Sequence, residues 1–141
     1  ATAVLFALIA AKLPHSRWLA VGAVLFLVVG FLFWLPISIG RLQLGAKAAE
    51  LISTYDPTTP PEVMVNRSWL FWANTLCILA ALALMGAALA VAGVLPTLGW
   101  VVMATAVASA IIGALIWGDW PPFMSYVIVL VLAIGLMRLP S

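Results

Sequence analysis

Few residues in this chain carry chemistry, and their types decide what it can do. There is one histidine, His15, between Pro14 and Ser16-Arg17. A haem or chlorophyll site in a helical bundle ordinarily takes a histidine from inside a span. His15 lies beside charged residues at the edge of an apolar run, where a headgroup-level or solvated role fits better. The one cysteine, Cys77, lies within an apolar run and has no intrachain partner for a disulfide. Met85, Met103, Met124 and Met137 are soft ligands by type, but methionine in apolar helices ordinarily fills space. No spacing of His, Cys, Asp or Glu makes a metal site. Ser38, Ser109 and Ser125 have no acid or histidine placed to activate them.

Coupled transport of ions needs a titratable group within the membrane. The four carboxylates, Glu50, Asp56, Glu62 and Asp119, all fall outside the apolar runs. Ser38, Asn74, Thr75, Thr105 and Tyr126 are the polar groups left inside them. Hydrogen bonds between helices are their ordinary use. Lining a lipid, quinone or pigment pocket is the sharper one.

The elements around these residues follow from composition. Of 141 residues, 67% are hydrophobic and 7% charged, against about 25% charged in a soluble domain. Such a chain needs lipid as its solvent, and a backbone in lipid must be helical or a closed barrel. Long apolar runs without alternation exclude the barrel. The expected fold class is an all-α polytopic transmembrane bundle. It has four convincing spans, a short N-terminal apolar segment, and one membrane domain over residues 1–141. Six basic against four acidic residues, dispersed, make no nucleic-acid footprint.

Residues 1–13 read as a short or truncated first helix, and the start at Ala1 fits loss of an initiator Met or a processed N-terminus. Residues 18–40 form the first span, with Trp18 and Trp34 near its ends and Pro36 as a kink near its C-terminus. Gly22 and Gly30 share a face and admit a close neighbour. Residues 41–67 are an interfacial helix and polar loop. There Thr59, Pro60 and Glu62 suit an N-cap, a first helical position and a capping box. Residues 68–93 and 99–117 are the second and third spans, joined through Leu95-Pro96-Thr97-Leu98-Gly99; no charged residue or histidine occurs from Ser68 to Trp117. Gly86 and Ala90, Ala106 and Ala110, and Ser109 and Gly113 have the four-residue spacing of close-packing helix faces. Asp119, with Pro121 and Pro122, opens a last span over 121–138, where Arg138 can reach the headgroups.

With alternating spans, Arg41, Lys47 and Arg67 lie on one side and Lys12, Arg17 and Arg138 on the other. The positive-inside rule is balanced; the 41–67 loop, the one substantial basic loop, is taken as cytoplasmic.

The stretch Gly22–Glu50 and the later Trp120–Arg138 resemble a group of small bacterial integral membrane proteins of the copper-resistance-D-like four-helix type. In that group an apolar span ends in a basic, Ala-rich amphipathic segment, and a Trp-Pro pair opens the last span. The resemblance implies a four-helix architecture in the bacterial inner membrane. Members that bind haem or copper carry a histidine early in the span, where this chain has Trp18-Leu19-Ala20, so no metal or haem role carries over.

The leading expectation is a non-catalytic accessory or scaffold subunit that packs against membrane lipids and other integral membrane subunits, or against its own copies. Catalysis is left open, with the balance against it. The alternatives are a small homo-oligomeric channel or transporter, and a quinone- or haem-linked redox component. No cofactor is predicted; a bound lipid, quinone or pigment stays open.

Overall fold

In the computed structural model the described residues are 2–13, 15–46, 68–117 and 123–137. All regular structure among them is helical, in five helices: α1 (Thr2–Ala11), α2 (Arg17–Ala46), α3 (Ser68–Val91), α4 (Pro96–Ile112) and α5 (Phe123–Met137). Three stretches are long and apolar enough to cross a membrane: Arg17–Gln43, Trp69–Val91 and Pro96–Leu115. At about 1.5 Å per residue each reaches about 30 Å or more, the thickness of the hydrocarbon core. α5 is apolar but shorter, at about 23 Å. The readings of Thr59, Pro60, Glu62, Asp119, Pro121, Pro122 and Arg138 lie outside the described residues.

α1 packs against α2 through Phe6 and Ala10, and Leu13 is buried just beyond it. The elbow into α2 is described at Lys12, Leu13, His15 and Ser16, with the Lys12 and Leu13 N–H groups donating to the carbonyls of Ile9 and Ala10. Helix α2 continues through Pro36 and on to Ala46, so the span and the start of the interfacial segment are one element.

Two side-by-side registers fix α2 against α3. A Cβ added at Gly22 would lie 3.4 Å from the Leu84 side chain, and one added at Gly30 would lie 3.1 Å from the Cys77 Cβ. As numbering rises on α2 it falls on α3, so the pair is antiparallel. Phe33 meets Trp69 edge-on with ring centroids 6.2 Å apart, continuing the same register.

α3 and α4 form the hairpin expected from the charge-free stretch, but its turn is earlier than the sequence suggests. It runs from Ala92 to Leu95, with Gly93 at φ 69°, a conformation that suits a residue without Cβ. The Gly93 N–H donates to Ala90 O and closes the end of α3. Pro96 opens α4, where its missing N–H and fixed φ cost little. Gly99 therefore stands in the first turn of a helix and not in the loop. After Ile112 the helix passes into one π-helical turn, Gly113–Trp117.

α5 returns antiparallel to α4, with Gly135 set against Leu98. One buried cluster draws on all five helices, with Phe6, Ala23, Leu82, Met85, Val102 and Leu132 among its members. α3 lies at its centre. Of its apolar window 56% is buried, against 17% for α2 and 28% for α4.

Candidate functional site

The tightest point of the molecule is where α3 crosses α4. A Cβ on Gly86 would come within 2.7 Å of the Gly99 carbonyl oxygen and 2.8 Å of the Met103 nitrogen; one on Gly99 would come within 2.5 Å of the Gly86 oxygen and 2.6 Å of the Ala90 nitrogen. The contact is reciprocal and is made by backbone on both sides. Helices in lipid gain little from the hydrophobic effect and associate by packing. Two facing glycines bring whole peptide units into dispersion contact, which a gap of about 0.5–1 Å would cut by a quarter to a half. Gly86 and Ala90 were expected on a packing face; Gly99, their partner, was not. The signal for it was Pro96, which suits a first helical position and places Gly99 inside the helix that follows.

The other small residues are spread along three interfaces. Gly22 is half-buried against Leu84, and Gly30 is buried against Cys77 and Asn74. Ala106 is buried, Ala110 half-buried and Gly113 buried. Gly135 also was not expected: a Cβ there would run into the Leu98 side chain.

The intramembrane polar residues do not assemble into one site. Asn74 is buried where α3 meets Gly30. The buried Thr75 hydroxyl donates to the Phe71 carbonyl of its own helix at 2.9 Å, a local bond that satisfies it without a partner helix. Ser38 is half-buried, beyond Gly30 toward the Trp69 end of α3. Thr105 is half-buried and, by the Gly86–Gly99 register, falls near the level of Ala80. Tyr126 is 73% exposed on α5. Among the described residues, which exclude all four carboxylates, no three of His, Cys, Asp and Glu come together.

Two concave surfaces among the described residues bear on the site. One, of about 410 Å³, lies on α2 at Leu32, Leu35, Pro36, Ile39 and Gln43. The other, of about 370 Å³, runs between α2, α3 and α4. Its small-residue lining is Ala80, Ala83, Ala106 and Ala110, and bulkier Phe26 and Ile111 also border it. Its walls are almost entirely apolar, so it offers shape and van der Waals contact and no acid, base or nucleophile. Cys77 also lines it.

The helix ends carry the aromatic and charged residues. Trp18 and Trp100 are exposed at the end of the bundle holding the α1–α2 elbow and the α3–α4 turn, and Trp69 is exposed at the other. Arg41 lies over the Trp34 ring, its guanidinium carbon 5.3 Å from the centroid, a cation–π contact at interface level. His15 is exposed at the elbow. Ser16, which the sequence did not single out, is buried there. Its carbonyl accepts from the Leu19 and Ala20 N–H groups, while its hydroxyl has no hydrogen-bond partner among the described residues.

The chain matches no family profile, no curated protein and no solved structure.

Proposed function

We propose that the chain is a non-catalytic accessory or scaffold subunit of an integral membrane protein complex, a multi-pass protein of the bacterial cytoplasmic membrane in which α5 serves as a fourth span. The observation that carries this reading is the apolar groove between α2, α3 and α4. Its Ala80, Ala83, Ala106 and Ala110 lining lets a further helix approach closely. Where lipid is the solvent, small-residue surfaces are the ones on which helices associate. The same α4 face carries exposed Val107 and Ile111, which frame a helix seated there.

Purification in a mild detergent, with quantitative mass spectrometry of what accompanies the chain, tests the reading. A membrane polypeptide in fixed ratio, or a second copy of the chain, is expected. The double substitution Ala80→Leu/Ala110→Leu, at two half-buried lining positions, fills the groove and should release that partner. A stable monomer that crosslinks to nothing in native membranes contradicts the proposal.

A further inference from the structure

The elbow between α1 and α2 carries Lys12, His15 and Arg17 within six positions, and all three side chains are exposed. No Asp or Glu occurs in the sequence before Glu50. All four carboxylates, Glu50, Asp56, Glu62 and Asp119, lie outside the described residues. The elbow end also holds the α3–α4 turn, which has no charge of either sign. Its cations face the membrane boundary, and in sequence no carboxylate comes closer to Arg17 than Glu50, 33 positions on.

Three neighbouring observations say what kind of anion suits the place. Trp18, the next residue, is 87% exposed, as a ring lying among headgroups would be. Val4 and Leu8 of α1 and Leu25 and Phe26 of α2 are exposed apolar residues on the two helices that leave the elbow. An acyl chain beside them is the natural neighbour of a phosphate at the elbow. The N-terminus of α2 adds the partial positive charge of a 30-residue helix. Ser16, at its N-cap position, is 4% exposed and its hydroxyl has no partner among the described residues, so it does not close the first turn as an N-cap serine ordinarily does.

We propose that the elbow residues Lys12, Arg17 and Trp18 form a binding site for the phosphate of an anionic phospholipid, with Lys12 and Arg17 as its charged contacts and Trp18 as its headgroup-level anchor. It rests on the chain being a membrane protein and not on the scaffold role, so it can be tested on the isolated chain.

The test is native mass spectrometry of the full chain in detergent, titrated with phosphatidylglycerol and with phosphatidylcholine. Each basic residue near an anionic surface contributes a factor of about five. Lys12→Gln/Arg17→Gln should then lower the preference for phosphatidylglycerol on the order of 25-fold. Lys12→Arg/Arg17→Lys should keep it, and so should Arg41→Gln at the other end of the bundle. Equal binding of the two lipids by the unaltered chain overturns the proposal. So does a preference that survives Lys12→Gln/Arg17→Gln, or one that Arg41→Gln removes equally. Inorganic phosphate added alone is expected not to displace the lipid; displacement would make this a site for a soluble anion and would also overturn it.

Discussion

α2 and α3 are both long and apolar, with no charge in α3 and none in α2 between Arg17 and Arg41, yet α3 is the buried centre of the bundle while most of α2 faces outward. Hydropathy does not separate them, because both are at home in lipid. Side-chain size does. α3 carries Ala80, Ala81, Ala83, Gly86, Ala87, Ala88 and Ala90 in its second half, whereas α2 carries Leu25, Phe26, Val28, Val29, Phe31 and Leu32 in its middle. Small residues let neighbours reach the backbone, and bulky ones give lipid a surface to wet. In this chain the order of packing follows size, and apolarity only sets the solvent.

Single added methyl groups probe that difference in proportion to the space each would meet. Gly86→Ala and Gly99→Ala are expected to cost the most, about 3 kcal/mol each. Each new Cβ would meet backbone that cannot turn aside. Reversible unfolding in mixed micelles would read this. The double variant should lose less than the sum, because either methyl alone already separates the helices. Gly30→Ala is expected to cost about 1 kcal/mol, since its new Cβ would lie 3.1 Å from the Cys77 Cβ, a contact that a small shift relieves. Cys77→Ala should not rescue it, because the obstructing atom is the Cβ and not the sulfur. The smallest effects belong to Gly22→Ala, with ordinary contact at 3.4 Å, and to Leu32→Ala on the outward face of α2. Both should stay within about 0.5 kcal/mol. If Leu32→Ala matched Gly99→Ala, size would not be what separates the two helices.

The helical fold and the charge-free hairpin were legible because a run such as Ser68–Trp117 leaves the backbone no other way to satisfy its hydrogen bonds in lipid. Gly22, Gly30, Gly86 and Ala90 were singled out from their type and spacing, and the atoms nearest to a Cβ at the three glycines belong to Leu84, Cys77 and Gly99. Those partners were not legible. Gly99 was read as the point where the turn passes into the third span, although Pro96 already opens the helix and Gly93 makes the turn. Gly135 has no small neighbour at four-residue spacing, and its fit to Leu98 depends on how α5 returns. The helix order within the bundle was also hidden, since it rests on tertiary register and every span has the same polarity. Thr75 stood out as an intramembrane hydroxyl, but its bond to Phe71 lies one turn back on the same helix. The groove at Ala106 and Ala110 was half legible. The spacing marked the face, and only the packing of α2, α3 and α4 shows that the face stays open.

The comparison between inward and outward surfaces comes to a point at that groove, where Ala80, Ala83 and Ala110, small residues of the kind that packs inside, are only half-buried. A photo-activated crosslinking residue placed at Val107, beside the groove, and another at Leu25, on the bulky outer face of α2, separate protein from lipid as the neighbour. In native membranes the scaffold reading predicts that the Val107 probe joins the chain to one defined polypeptide while the Leu25 probe labels lipid. Lipid labelling at both positions, with the chain migrating only as a monomer, would contradict it.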